Sequence, residues 1–336
     1  MERRINILFT SAGRRVELIR AFKRAYADLE LKGHIVVTDI DPLAPTLQEA
    51  DRFYLVPRSS NPDFIPTLVD ICLREEIKMI FPLTDPDVLV LARNRPVLES
   101  TGAWVMTVLE ESAEIAADKW KTYLFFVENG IPTPRSWLPE DVRSGMEESL
   151  HFPLIVKPRF GSAGREVFKA NNLRELTFFL DYVSDPIVQE YVSGPEITTD
   201  VICDYRGEVL GLVSRQRIEV RSGEVAKGKT VYDPHIAEYS LRVARALGAR
   251  GPINLQCLVR EGKPYFTEIN ARFGGGAPLG IVAGVSSPLW YLAQASGLPI
   301  ALPPLGTYRI NLYLTRFDDA FFITEEEYEE TASRHL

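Results

Sequence analysis

Residues 254–276 read NLQCLVREGKPYFTEINARFGGG, and the alternation within this stretch decides how the rest of the chain is read. Successive side chains of an extended strand face opposite ways. Asn254 and Gln256 therefore share one face, and Ile253, Leu255 and Cys257 take the other. Arg260-Glu261-Gly262-Lys263-Pro264 has the length and the glycine of a hairpin link. In a regular second strand Tyr265 and Thr267 point one way, while Phe266, Glu268, Asn270 and Arg272 point the other. Closing the hairpin sets Gln256 beside Glu268 and Asn270, three oxygen donors with the Arg272 guanidinium just beyond. Hard oxygens that leave room for water and phosphate suit magnesium, and an arginine beside them suits a phosphate or acyl phosphate. A hairpin with nothing more than a polar outer face has the same alternation, so other stretches must decide.

The amino-terminal third alternates strand and helix. Ile5–Thr10 is an apolar strand, Ser11-Ala12-Gly13-Arg14-Arg15 a turn, and Val16, Leu18, Ile19 and Phe22 recur at helical spacing. Further strands are expected at His34–Thr38 and Met79–Leu83, with a helix over 64–75 between them. This order predicts a parallel sheet with helices on both faces, whose ligand crevice lies at the loops after the strands. The first loop has one glycine where a dinucleotide fingerprint needs three, so a nicotinamide site is rejected. Arg14 and Arg15 could hold a carboxylate or be a solvated helix start.

A chain of 336 residues with 46% hydrophobic composition can bury two or three domain cores. Its 38 basic and 46 acidic residues give a net charge of −8, which argues against a nucleic-acid surface and for small substrates. Cys72, Cys203 and Cys257 lack metal-ligand spacing and are read as buried structural residues in a reducing compartment. No stretch reads as a signal peptide or membrane span, so the cytoplasm is the expected location.

Three elements in the middle carry chemistry. Lys119 and Lys121 follow an acidic helix, and Asn-Gly with paired prolines then marks a connection between domains. The strand of FPLIVKP, 152–158, delivers Lys157 ahead of the small-residue loop Gly161-Ser162-Ala163-Gly164-Arg165, which could close over phosphates. The glycine-lysine-serine/threonine ending of a P-loop is absent. Finally IVQEYVSGPE, 187–196, offers extended backbone suited to an adenine and a carboxylate suited to a ribose.

In this order the elements resemble the ATP-grasp superfamily, particularly its carbamoyl-phosphate-synthase-like and carboxylate-amine ligase branches, from about residue 5 to 300. The resemblance implies an α/β protein, an ATP-grasp fold preceded by a Rossmann-like parallel-sheet domain. The expected divisions are a pre-ATP-grasp domain at 1–112 and an ATP-grasp domain at 113–305, with a lid at about 153–185. A carboxy-terminal strand and charged tail follow at 306–336. It implies that Lys119 and Lys157 contact phosphates and that Gly161, Ser162 and Gly164 form the mobile loop. Gln189, Glu190, Tyr191 and Val192 would form the adenine hinge, and Glu196 would hold the ribose. Gln256, Glu268 and Asn270 become metal ligands, with Asn270 and Arg272 at the reacting centre. ATP and magnesium, with manganese as a substitute, are the implied cofactors. Small carboxylate and amine substrates are the implied partners, with a homodimer left open and neither nucleic acid nor membrane expected.

Between hinge and hairpin, Arg215, Arg217, Lys227 and Lys229 interleave with strand-forming residues. Arg215 is read as neutralising a triphosphate or substrate carboxylate, Arg221 as solvated. A helix is expected over 235–247 and another over 289–295, then a strand at Tyr308–Leu314 and an acidic tail from Glu325. The expected activity is ATP-dependent activation of a carboxylate as an acyl phosphate for attack by an amine. A carbamate or small-acid kinase and a non-catalytic nucleotide-binding regulator are the rival readings.

Overall fold

The computed structural model describes residues 4–143, 150–161, 164, 166–221 and 223–333. Its amino-terminal sheet holds β1 (Asn6–Thr10), β2 (Ile35–Asp39), β3 (Arg52–Leu55), β4 (Ile77–Pro82) and β5 (Trp104–Val105), all parallel, in the order β3-β2-β1-β4-β5. Strands β3 and β5 escape the sequence reading. The first has four residues of which Leu55 alone is buried, and the second has only two residues. The helix Val16–Asp28 buries Leu18, Ile19, Phe22 and Ala25 against this sheet.

A small antiparallel sheet follows, made of β6 (Ser136–Trp137), β7 (Leu154–Pro158), β8 (Phe168–Ala170) and β9 (Pro186–Glu190), in the order β6-β9-β7-β8. With the helix Leu173–Tyr182 it encloses its own core of Leu154, Val156, Leu176, Leu180 and Val188. The sheet takes in strands on either side of the expected 153–185 lid. Ser162, Ala163 and Arg165 of the expected phosphate loop lie outside the described residues.

The large sheet runs β14-β13-β10-β11-β12-β15, from β10 (Glu196–Cys203), β11 (Val209–Arg221), β12 (Glu224–Val231), β13 (Pro252–Arg260), β14 (Lys263–Asn270) and β15 (Tyr313–Thr315). The expected strand Tyr308–Leu314 is shorter and displaced to β15. Asn311 adopts φ 58°, which breaks an extended run, and the Tyr308 hydroxyl turns inward to donate to the Val231 carbonyl. Strand β15 pairs with β12, so this part of the carboxy-terminal segment belongs to the large sheet. The helix over 235–247 is found at Pro234–Ala246, its start capped by Asp233, and the acidic tail forms the helix Glu325–Ala332 behind a Thr324/Glu327 capping box.

One continuous core joins the parallel sheet to the large one. Phe22 and Phe81 stack against Phe273 at ring separations of 6.1 and 5.6 Å, and Phe81 meets Tyr291 at 5.2 Å. The chain leaving the hairpin of residues 252–270 thus enters an aromatic cluster that the two sheets share.

Candidate active site

Strands β13 and β14 close through a two-residue turn at Glu261 and Gly262, with φ of 53° and 75°. Both values are left-handed, as a type I′ hairpin turn demands. The register places Gln256 opposite Glu268 and Asn254 opposite Asn270, as the alternation requires. It also corrects one expectation. A register shift after Gln256 pairs Cys257 with Phe266, so Thr267 is the extra residue of a bulge, and Phe266 faces the apolar core with Leu255 and Ile269 instead of sharing a face with Glu268.

Pairing across β10 and β11 extends the polar face. Thr198 lies opposite Gln256, Asp200 opposite Asn254, and Arg215 opposite Thr198. In the amide orientation that satisfies both ends, Gln256 donates from nitrogen to Glu268 at 2.9 Å and to Glu196 at 3.2 Å. Glu196 also receives Arg217 at 2.5 Å. A half-turn of the Gln256 amide presents oxygen instead, the orientation that a cation held with Glu268 requires. Asn270 offers its oxygen on the same face, where it accepts from Arg272 at 3.1 Å. The face is not internally satisfied: Thr198 Oγ1 is buried with no hydrogen-bond partner among the described residues. One carboxylate, two amide oxygens and a nearby orphan hydroxyl fit magnesium with its waters.

Two lysines from other segments, and Arg272 from just beyond β14, bear on Glu268. Lys157, at the end of β7, donates to the Gln189 side chain at 2.9 Å. Burial pulls its pKa down to about 8, with Glu268 opposing and Lys119 adding to the fall. Lys119 opens the helix Lys119–Glu128 and donates to the Gly161 carbonyl at 2.7 Å. It too is lowered, first by burial, against the pull of Glu268, Asp85 and Asp118. Burial works against the charge on Arg272 as well, but Asp85, Glu268 and Glu224 more than offset it and its pKa is raised. Arg272 lies 2.8 and 2.9 Å from the two oxygens of Asp85, the shorter contact, from Nε, lacking the angle of a hydrogen bond. Of the four carboxylates that bear on these cations, Asp118 is paired with Arg159, and Glu224 with Arg15 and Arg316, so three cations share Glu268 and Asp85, a surplus that suits a polyanion.

Asp118 caps the helix that begins at Lys119 and grips Arg159 at 2.6 Å, so the small sheet is tied to that lysine. Gly161 and Gly164 hold φ of 93° and 65°, conformations open to glycine. In the hinge segment the Gln189 side chain is spent on Lys157 and Ser136, Glu190 pairs with Arg260 at 3.0 Å, and Lys169 sits over the Tyr191 ring. The Val192 side chain is buried, and its amide has no intramolecular partner among the described residues.

Arg215 is placed differently from its expected role. Its guanidinium is buried against Asp200 at 2.8–3.1 Å, and Asp200 also receives Asn254 at 2.5 Å. The glycine triplet covers this network: a Cβ on Gly274 would come within 2.6 Å of Asn254, while one on Gly276 would overlap the Arg215 guanidinium. Sequence reasoning missed Asp85, although it marked the loop that carries it, and it missed Glu224 and Arg316, which follow no motif.

Two family models match the chain: a PylC-like N-terminal domain over 7–106 and an ATP-grasp domain over 116–276. The chain is 27% identical over 277 residues to the carbamoyl phosphate synthase large chain of Clostridium beijerinckii, a match that covers 72% of this chain and 24% of that one. It thus spans about a quarter of the length of such relatives. Its fold matches the N5-carboxyaminoimidazole synthetase of Staphylococcus aureus complexed with ADP, at a TM-score of 0.71 and 16% identity over 90% of this chain and 80% of that one. It also matches the biotin carboxylase domain of the Hydrogenobacter thermophilus 2-oxoglutarate carboxylase in complex with MgADP, at 0.70 and 20% identity, covering 91% and 73%. No helix among the described residues is long and apolar enough to cross a membrane.

Proposed function

For a chain that belongs to the ATP-grasp family, with a PylC-like N-terminal domain ahead of the ATP-grasp domain, we propose an ATP-dependent carboxylate-amine ligase. A substrate carboxylate oxygen attacks the terminal phosphorus of ATP and ADP leaves. An amine nitrogen then attacks the acyl carbon, phosphate leaves, and the amine gives up a proton. The observation that carries this reading is the convergence of Lys119, Lys157 and Arg272 on Glu268. No nucleophilic side chain is needed, because positioning and charge stabilisation supply the rate.

Gln256, Glu268 and Asn270 would hold magnesium, with manganese able to replace it, and the metal supplies neutralisation of phosphate charge. Lys119 and Lys157 hold the phosphates, Arg272 steadies the acyl phosphate, and the backbone over Gln189–Val192 receives the adenine. Glu196, released by Arg217 or shared with it, accepts from the ribose. Arg215 acts through Asp200, fixing the glycine triplet beneath the reacting carboxylate. The functional divisions are the pre-ATP-grasp part at 1–112, the ATP-grasp part at 113–305 and a segment at 306–336 that completes the sheet. The small sheet closes as the lid. The substrates are small and the location is the cytoplasm.

Thermal stabilisation by MgADP against MgGDP tests the hinge. At a hundredfold excess over Kd, binding adds roughly 2.7 kcal/mol, and the adenine nucleotide should give the larger shift. Equal shifts remove the hinge from the adenine. Screening pairs of carboxylic acids and amines for ADP release then tests the ligase step.

A further inference from the structure

Beyond Arg272 lies a charged cluster that the nucleotide site leaves unused. Arg15 contacts Glu224 at 3.1 Å, and Glu224 is shared with Arg316 at 3.3 Å. Arg316, which follows β15, also donates to the Gly275 carbonyl at 2.7 Å and reaches Glu17 at 2.6 Å. The side chains of Arg272, Arg15, Arg316, Glu224 and Asp85 are 14–29% exposed, so they neither fill a core nor stand free in water. Gly275 lets Glu224 and Arg15 close against the backbone, since a Cβ there would overlap the Glu224 carboxylate and come within 2.6 Å of Arg15.

Arg15 shares Glu224 with Arg316, while Arg272 holds Asp85 and Arg316 also reaches Glu17. Burial and the neighbouring charges of Arg272 and Arg316 outweigh Glu224 and Asp85, and the guanidinium is held below its ordinary value. Of the carboxylates that face the three arginines, Glu17 is 46% exposed and screened by water. Glu224 has a second partner in Arg316, so it can leave Arg15 without becoming unpaired.

We propose that Arg15 is the docking point for a substrate carboxylate, distinct from the one activated beside Arg272, and that Glu224 occupies that point in the free chain. The inference rests on the ligase reading and narrows its substrate class. Either the acid that is activated has a second carboxylate, or the attacking amine bears one. In both cases the carboxylate pairs with Arg15 and Glu224 moves to Arg316.

Ligand-observed NMR titrations with succinate, acetate, glycine and methylamine, each with and without MgADP, test this on the full chain. Succinate or glycine should bind about tenfold more tightly to Glu224→Gln and about tenfold more weakly to Arg15→Met, the scale of one charge-assisted contact. Preference for succinate over acetate assigns the carboxylate to the acid, and preference for glycine over methylamine assigns it to the amine. Unchanged or weaker binding to Glu224→Gln overturns the proposal, even if Arg15→Met fails to fold. If MgADP does not bind while the dependence on Arg15 persists, the ligase reading falls and the docking point stands. If MgADP binds and neither substitution changes carboxylate binding, the reverse holds.

Discussion

Lys157 ties nucleotide affinity to pH in a way that can be worked out in advance. Burial holds its pKa at about 8, against 10.5 for an ordinary lysine. Phosphates bind only the charged form. With a pKa of about 8, roughly nine-tenths of the free protein carries that charge at pH 7 and roughly one-tenth at pH 9, so MgADP affinity should fall about tenfold across the interval. Nucleotide phosphates have completed their own ionisation by about pH 7 and add no slope. The sign for folding is opposite. Between the two pKa values the unfolded chain holds a proton on this lysine that the folded chain has shed, so stability without nucleotide rises with pH. Buried Cys72, Cys203 and Cys257, pushed up to about 12, pull stability the other way above pH 9, but they are common to parent and variant and cancel in the difference. Calorimetric titration of parent and Lys157→Met from pH 7 to 9, with urea denaturation of both, reads the two effects. Lys157→Met should bind more weakly at pH 7 with a flatter profile, any residual slope belonging to Lys119. Identical slopes for binding in the two proteins would refute the reasoning.

Glu268→Gln should keep weakened ADP binding while ADP release in the presence of cognate substrates falls ~10²-fold or more; parental turnover would move the metal site elsewhere. Gly276→Ala drives a methyl group into the Arg215 guanidinium and should cost ~1–3 kcal/mol by chemical denaturation. Asp200→Asn leaves Arg215 buried without its counter-ion and should cost ~3–5 kcal/mol in the same assay, whereas an exposed pair such as Lys227–Glu219 should cost under ~1 kcal/mol when broken. Hydrogen exchange at Gly161 should slow when MgATP is added, since bound phosphates would accept from amides of this loop; protection that does not change would deny the small sheet its part as a lid.

The sequence made the reacting hairpin legible because strand alternation is a local property, and Gln256, Glu268 and Asn270 announce a shared face without knowledge of the rest of the fold. The bulge at Thr267 was not legible. It depends on Phe266 finding the core beside Leu255, Cys257 and Ile269, a tertiary demand that overrides regular alternation. Lys157 was placed by its strand and small-residue loop, yet the depression of its pKa needed the positions of Lys119 and Glu268 in space. Arg215 looked free because its counter-ion, Asp200, sits in another strand fifteen positions earlier. Asp85, Glu224 and Arg316 share the site through contacts that span up to 299 positions, and no periodicity encodes such a meeting.

The aromatic cluster of Phe22, Phe81, Phe273 and Tyr291 has a consequence for cooperativity. Phe273 sits between Arg272 and the glycine triplet, so the residues proposed to hold the reacting group are anchored in a core common to the parallel sheet and the large sheet. The folding units therefore do not coincide with the two stretches that the family models match. Residues 7–106 and the large sheet should therefore melt in one calorimetric transition, because separating them would expose the rings that hold both. The small sheet, with a core of its own, is the part of the chain free to open while that larger unit stays folded.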